Sequence, residues 1–256
     1  MGEYARHRQD EIDAIHCALD LGITLIDTAE MYGDGGTEEV IAEAIRGRRE
    51  DLFIVSKVYP HNASRDGTIV ACERSLRRLD IEYIDLYLLH WPGNIALTET
   101  FDAFHYLQDK GNIGDYGVSN FDIDNLQKIP IDDQQRLGCN QVLYNLAQRE
   151  TEWAVSDWCR KRGVPVMAYS PLDQASSLLQ SRAIADVAVR HSATVPQIAL
   201  AWLLHRPDTI VIPKSIRPER IKENYGALEI QLSSQDLADL EDVYPAPERP
   251  VHLGMR

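Results

Sequence analysis

No apolar run in the sequence approaches the roughly 20 residues that a membrane-spanning helix needs. Its basic clusters, RGRR and RKR, are short, and the net charge of −14 at pH 7 argues against a nucleic-acid surface. The N-terminal stretch MGEYARHRQDEID lacks the apolar core of a secretory signal. These absences predict a cytoplasmic protein that binds neither a membrane nor nucleic acid.

Cysteine is scarce and scattered. The four cysteines form no CxxC and show no zinc-like spacing with histidine, so we predict reduced thiols and no metal site. The glycine fingerprint GxGxxG of dinucleotide-binding Rossmann domains is also missing, because GNIGDYG at 111–117 has the wrong spacing. A Rossmann domain is therefore disfavoured.

What is present is a series of short β-rich apolar segments that alternate with helical patterns. Seven strands are predicted, at 24–27, 52–57, 84–90, 115–119, 140–144, 165–170 and 209–213. Two of the helices are expected to open at Thr37 and Thr98 and to stop at Gly47 and Gly111. Buried strands each followed by a helix are typical of parallel sheets, and this uninterrupted run over residues 1–256 predicts one α/β domain of the TIM type, a (β/α)8 barrel.

Three polar residues stand where the first three predicted strands end. Asp27 and Lys57 are 30 residues apart, and His90 follows Lys57 by 33, which is about one βα unit. Tyr32 lies on the loop just after Asp27. Each of the four has an ordinary structural explanation when taken singly, but together they are expected at the carboxyl-terminal mouth of a barrel, where such enzymes keep their chemistry.

These residue types suit proton transfer. A phenol has a pKa of about 10, which is high for an acid working near neutral pH. An adjacent ammonium lowers the pKa of a phenol, and a carboxylate keeps that ammonium charged and in place. We therefore expect Asp27 to hold Lys57, and Lys57 to lower the pKa of Tyr32.

Several ordered segments resemble the aldo-keto reductase family, from about Glu11 to the end of the chain. LGITLIDTAEMYGDGG is similar to the aspartate and tyrosine signature of that family, IVSKV to its lysine strand and DLYLLHWP to its histidine strand. YGVSNF, NQVLYN, YSPL and IPKSIRPERIKEN resemble its cofactor-binding segments in the same order. Within the family, the sequence resembles the bacterial sugar-acid and methylglyoxal reductases.

The resemblance implies NADPH-dependent reduction of aldehydes or ketones to alcohols, with hydride from the nicotinamide and the proton from Tyr32. By similarity, Asp27, Lys57 and His90 complete the catalytic set. The cofactor-binding residues implied by the family are Ser119, Asn120 and Gln141 at the nicotinamide carboxamide, Tyr169 on its ring, Ser170 and Leu172 along the pyrophosphate, Lys214, Ser215 and Arg220 at the adenosine 2′-phosphate, and Glu223 and Asn224 at the adenine. Lys214, Arg217 and Arg220 form a cationic patch in a chain of net charge −14, which suits the phosphate assignment.

The chain departs from the family in its first elements. Only MGEYARHRQ precedes the first helix, so the hairpin and the first barrel strand of the family are missing, and seven strands remain where a barrel needs eight. A missing strand leaves two unpaired edges. The true start lies upstream, or the seam is covered by a partner or a rearranged terminus, or the chain folds poorly; a start codon assigned too far downstream is the favoured explanation.

Two other functions stay open. The chain could be a cofactor-binding regulatory subunit of the same fold, or an inactive truncated fragment. The complete set of proton-relay residues favours the enzyme. Tyr59 and Trp91 are expected to wall the pocket of a small carbonyl substrate, and a monomer is expected unless the open seam pairs with another chain.

Overall fold

The computed structural model describes residues 1–173 and 177–255. The chain divides into two compact units, one of Met1–Cys139 with Ile216–Pro218 and one of Asn140–Ser215 with Glu219–Arg256. Each unit is built from alternating parallel strands and helices, and the expectation of a single domain stays a prediction. None of the helices in the described residues is long and apolar enough to cross a membrane.

The first unit carries four strands that pair in parallel in chain order. The strands are β1 (Leu25–Asp27), β2 (Phe53–Val58), β3 (Ile84–Leu89) and β4 (Ile113–Ser119). The helices are α1 (Arg8–Asp20), α2 (Gly36–Ala44), α3 (Arg65–Leu79), α4 (Leu97–Asp109) and α5 (Ile123–Leu126).

The second unit has three strands, also parallel and in chain order. They are β5 (Asn140–Leu143), β6 (Val166–Tyr169) and β7 (Thr209–Val211). The helices are α6 (Val155–Arg162), α7 (Arg182–Arg190), α8 (Val195–Leu204), α9 (Pro218–Tyr225, whose first residue is grouped with the first unit) and α10 (Ser234–Val243). All seven strands predicted from the sequence are thus present.

The predicted helix ends are less accurate. Helix α2 begins at Gly36 rather than Thr37, because the Thr37 hydroxyl donates to the Met1 carbonyl and does not cap the helix. Helix α4 begins at Leu97, behind an N-cap residue that makes no side-chain cap bond. Both helices end before the glycines expected to stop them. Before Leu25 the described residues form a 3₁₀ turn and α1 but no strand, as expected.

Burial is deepest in the middle strands of the first unit. Every β2 residue after Phe53 is buried, and β3 is buried except at Asp85, so their apolar side chains each contribute on the order of 1.5 to 3 kcal/mol. In contrast, β1 and β7 are three residues long and half-buried throughout. The well-packed β2 and β3 therefore give the residues at their carboxyl ends a firm support.

Hydrogen exchange tests this difference in burial. Within its own unit, β1 pairs with β2 alone and β7 with β6 alone. We expect the amides of β1 and β7 to exchange faster than those of β3, because local opening of a short, half-buried strand costs less than global unfolding. Equal protection of all three strands in a chain shown to be monomeric would contradict the expectation.

Candidate active site

The centre of the site is an ion pair between the ends of β1 and β2. Parallel pairing sets Asp27 opposite Val55, and the side chain of Lys57 reaches back to it. The Lys57 Nζ lies 2.8 Å from each carboxylate oxygen of Asp27 and 2.7 Å from the Thr28 carbonyl oxygen. Lys57 is fully buried, and three oxygen acceptors surround its ammonium.

The alternation of side chains along β2 explains why Lys57 faces Asp27. Successive strand residues point to opposite faces, so Ser56 points away from Lys57. The Ser56 hydroxyl donates to the buried Glu38 carboxylate at 2.7 Å, and Glu38 is also paired with Arg78 at 2.6 Å. This second buried cluster ties β2 to α2 and α3 and holds the strand that carries Lys57.

Tyr32 is presented by a glycine-rich turn directly after β1. Gly33, Asp34 and Gly35 all have positive φ, at 59°, 53° and 89°. Glycine adopts such angles without steric cost. A Cβ on Gly35 would also lie 2.6 Å from the Arg78 Nε, so this position lacks space for a side chain. The turn sets the Tyr32 ring with its centre 5.0 Å from the Lys57 Nζ.

The protonation states of this pair differ in part from expectation. Burial lowers the pKa of Lys57, but Asp27 and Tyr32 raise it more, and the net pKa lies above its ordinary value. Burial raises the pKa of Tyr32, Lys57 lowers it and Asp27 raises it, with a net increase. Lys57 thus lowers the pKa of Tyr32 as expected, but desolvation of the phenolate outweighs the ammonium and leaves the net pKa above its ordinary value.

His90 follows β3, and both its backbone N–H and its backbone carbonyl are hydrogen-bonded. Its N–H donates to the Val58 carbonyl at 3.0 Å, and its carbonyl accepts from the Asn120 side-chain amide, also at 3.0 Å. Burial, with a smaller contribution from Lys57, lowers the pKa of His90 to about 3. The ring is therefore neutral near pH 7, and a neutral imidazole can offer one N–H to an oxygen.

Rings of Tyr32, His90, Trp91 and Tyr59 contact one another in sequence. The centroid separations are 5.6 Å for Tyr32 and His90, 4.8 Å for His90 and Trp91, and 4.8 Å for Trp91 and Tyr59. The two residues expected to wall the pocket, Tyr59 and Trp91, are thus brought beside the two expected to handle the carbonyl oxygen. Their roles stay predictions.

Ser119 and Asn120 lie where β4 ends. Ser119 is buried, and its hydroxyl accepts a hydrogen bond of 3.1 Å from the Asn120 amide. Asn120 has a φ of 61°, in the left-handed region that asparagine tolerates better than most residues. The same amide bonds to His90, so Asn120 links the ends of β3 and β4.

Four predicted cofactor-binding residues of the second unit lie on β5, at the end of β6 or in the turn after β6. Gln141 is buried on β5 and its amide lies 2.9 Å from the Met167 sulfur. Tyr169 ends β6, and Ser170 follows with a φ of 48° and a carbonyl that accepts from Asn145 at 3.0 Å. Leu172 is half-buried in the same turn.

The other five predicted cofactor-binding residues lie between β7 and the end of α9. Lys214 and Ser215 precede the helix, while Arg220, Glu223 and Asn224 are on it. Lys214 and Arg220 are exposed and form no ion pair within the part of the chain that the structure describes. The Glu223 carbonyl accepts a 3.0 Å bond from Gln197, which attaches α9 to α8. Two exposed cations without carboxylate partners fit a phosphate group.

Three residues with a role in the geometry were missed from the sequence: Thr28, Glu30 and Glu38. Thr28 contributes only its backbone carbonyl, which no side-chain pattern reveals. Glu38 is in the first turn of α2, where acidic residues are common because of the helix dipole, so its position gives no sign of the buried pairing. Glu30 lies inside the motif DTAEMYG, between Asp27 and Tyr32. That position is the one feature of the sequence that points to a role for Glu30 in the site. No group of three or more metal-ligating side chains occurs among the described residues.

A lysine and a carboxylate at strand ends, together with a tyrosine and a neutral histidine, form a set that can transfer protons in an enzyme built from βα units. A profile of the Aldo/keto reductase family matches residues 2–245. The chain belongs to the aldo/keto reductase family.

Its relatives include enzymes with named substrates. Methylglyoxal reductase YeaE of Escherichia coli strain K12 is 44% identical over 260 residues, covering 100% of this chain and 92% of that protein. Glyoxal reductase of Bacillus subtilis strain 168 is 34% identical, covering 90% of this chain and 82% of that protein.

Solved structures support the same assignment. The crystal structure of an aldo-keto reductase from Klebsiella pneumoniae in complex with NADPH matches with a TM-score of 0.97 at 44% identity, covering 100% of this chain and 92% of that chain. The predicted fold class, of the (β/α)8 type with seven visible strands, is therefore confirmed.

The ionisation of His90 is directly measurable by NMR. We expect its ring resonances to keep the neutral form from pH 8 down to pH 5, because the pKa is lowered to about 3. His90→Gln identifies the signal by its loss. Lys57→Met should raise the His90 pKa, since Lys57 is one cause of its lowering. A midpoint near the ordinary value of 6.5 in the unmodified protein would contradict this description of the site.

Proposed function

We propose that this chain reduces small 2-oxoaldehydes, of which methylglyoxal is the probe of choice, with NADPH as the reductant and Tyr32 as the proton donor. The observation that carries the proposal is the buried relay in which Asp27 holds the Lys57 ammonium beside Tyr32. The names of the E. coli and B. subtilis relatives support the substrate class.

Tyr32, Lys57 and Asp27 have different roles in protonating the carbonyl oxygen of the substrate. NADPH, when bound, supplies the hydride to the carbonyl carbon. The Tyr32 hydroxyl then gives its proton to the oxygen, which has become a far stronger base than a phenolate. Because that acceptor is so basic, Tyr32 can donate in spite of its raised pKa. Lys57 stabilises the resulting phenolate, and Asp27 keeps Lys57 charged.

His90 is proposed to orient the carbonyl rather than to protonate it. With its pKa lowered to about 3, its ring carries too little positive charge near pH 7 to act as the acid. A neutral ring beside Tyr32 can donate one hydrogen bond to the substrate oxygen and hold it in reach of the phenol. The intact relay supports a catalyst over a subunit that only binds the cofactor.

In the second unit, Lys214 and Arg220 are proposed to bind the adenosine 2′-phosphate, with Ser215, Glu223 and Asn224 beside the adenosine. Their support is the family resemblance together with the exposure of both cations. The remaining cofactor roles, of Ser119, Asn120, Gln141, Tyr169, Ser170 and Leu172, also follow the family and stay proposals.

We further propose a cytoplasmic monomer with no nucleic-acid partner. All four cysteines are free, in keeping with a reducing compartment. The net charge of −14 is unfavourable for phosphate backbones. Light scattering of the purified chain would reveal whether an exposed strand edge instead pairs two copies.

Replacement of the proposed acid tests the function. Tyr32→Phe should reduce NADPH oxidation with methylglyoxal by about 10²- to 10⁴-fold, because a general acid contributes that much. NADPH affinity, followed by fluorescence, should hardly change. Tyr106→Phe is the matched control, since Tyr106 is exposed on α4. A Tyr32→Phe variant with more than about a tenth of the original activity would rule out the role.

Replacement of Arg220 tests cofactor choice. Arg220→Ala should weaken NADPH far more than NADH, since only NADPH has the 2′-phosphate and a charged hydrogen bond is worth roughly 1.5 to 3 kcal/mol. Lys222→Ala removes a charge from the same helix two residues away, on a different face, and should leave both affinities unchanged. Equal losses for NADPH and NADH in fluorescence titrations would remove Arg220 from the phosphate site.

A further inference from the structure

Glu30 is a nearly buried carboxylate that joins the turn after β1 to the turn after β2. One oxygen, Oε1, accepts from the Tyr59 backbone N–H at 2.8 Å and from the Asn62 side-chain amide at 3.0 Å. The other, Oε2, pairs with the Arg74 guanidinium at 3.2 Å. The Glu30 side chain is only 8% exposed, so these contacts replace almost all of its hydration.

Glu30 holds the backbone of Tyr59, whose ring lies in the series of aromatic contacts that begins at Tyr32. The ring contacts run from Tyr32 through His90 and Trp91 to Tyr59, and then to His61 with a centroid separation of 4.2 Å. Tyr32 begins this series on the turn after β1, and Tyr59 lies on the turn after β2. This aromatic wall, from Tyr32 to Tyr59, therefore spans the segments after β1, β2 and β3, which must keep a constant separation if the substrate pocket is to keep its width.

Backbone hydrogen bonding between the turn after β1 and the turn after β2 is weak where Glu30 lies. Beyond the paired strands, the Glu30 N–H reaches the Lys57 carbonyl at 3.4 Å, which is long for a hydrogen bond. The Tyr59 N–H is satisfied by the Glu30 carboxylate instead. The Asn62 N–H closes its own turn onto the Tyr59 carbonyl at 2.8 Å, so the turn is held as a unit through Glu30.

The negative charge is necessary for this arrangement. An ionised carboxylate offers acceptors on both oxygens and can satisfy two N–H groups and a guanidinium together. A glutamine would have to turn its own NH₂ group toward either Arg74 or the Tyr59 N–H, where a donor would face a donor. Substitution by glutamine therefore breaks one side of the connection with little change of volume.

We propose that Glu30 is a positioning residue that fixes the width of the carbonyl pocket through Tyr59 and so favours small over bulky 2-oxoaldehydes. This inference rests on the reductase function proposed above. With Glu30 present, Tyr59 is held against Trp91 and a compact substrate is confined near Tyr32. Without it, the Tyr59 turn moves outward, which weakens contact with a small aldehyde and admits a phenyl group.

The test compares Glu30→Gln and Glu30→Ala with the unmodified enzyme, using methylglyoxal and phenylglyoxal. The KM for methylglyoxal should rise about tenfold in Glu30→Ala, with kcat within about threefold of the unmodified enzyme. This loss of substrate binding is smaller than full removal of a charged hydrogen bond allows. The ratio of kcat/KM for methylglyoxal to that for phenylglyoxal should fall by about tenfold. Glu30→Gln should shift both quantities in the same direction by less.

Amide exchange gives a readout that does not depend on activity. Both Glu30 variants should exchange faster over residues 58–63, with β3 unchanged. The matched control is Glu43→Gln, because Glu43 is an exposed glutamate whose pairing with Arg8, at 2.8 Å, lies outside the site. That variant should alter neither exchange nor the substrate ratio. If Glu30→Ala does not fold, Glu30→Gln and Asn62→Ala carry the same comparison.

The results separate this inference from the proposed function. Unchanged exchange over residues 58–63 would overturn the anchoring role of Glu30. Faster exchange with an unchanged substrate ratio would overturn its effect on selection, as would an equal loss of kcat on both aldehydes with KM unaltered. If the unmodified chain reduced neither aldehyde, the proposed function would fall, and the exchange rates would still decide whether Glu30 holds the turn.

Discussion

The buried ion pair between Asp27 and Lys57 is the interaction on which the candidate active site depends. Removing an ammonium from water costs several kcal/mol, and here two carboxylate oxygens and the Thr28 carbonyl compensate at 2.7 to 2.8 Å. Loss of one partner from such a pair typically costs about 3 to 5 kcal/mol, because a buried charge is left alone. The pair therefore requires β1 and β2 in register, and it sets the electrostatic environment of both Tyr32 and His90.

Around this pair, local backbone geometry positions the side chains of the site as much as charge does. Tyr32 lies directly before the left-handed turn at 33–35, with the Lys57 ammonium over its ring, and Asn120, itself left-handed, ties the ends of β3 and β4 by its bond to the His90 carbonyl. The opposite face of β2 is held to α2 and α3 by the cluster of Ser56, Glu38 and Arg78. These contacts leave few ways for Tyr32 and His90 to move independently.

The same burial that orders the site makes its proposed acid, Tyr32, a weaker acid. Desolvation raises the pKa of Tyr32 and lowers that of His90, which keeps both groups neutral around pH 7. A site with two neutral donors beside a fixed ammonium suits an oxygen that becomes strongly basic only during the reaction. In the proposed reaction the Lys57 ammonium would interact with negative charge as it forms.

The sequence by itself determined the order of strands and helices, the seven strand positions and the four catalytic candidates, because hydrophobic period and strand-end spacing are local properties of the chain. Motif resemblance added the family and the proposed cofactor segments. Only the tertiary structure decided the direction of the Tyr32 pKa, since it depends on how much water packing excludes from the phenol as well as on the nearby ammonium. It alone revealed Glu30 as the tie between two turns and the Thr28 carbonyl as an acceptor for Lys57. Those roles require residues 29 or more positions apart to be brought within hydrogen-bonding distance, which is a property of packing and strand register.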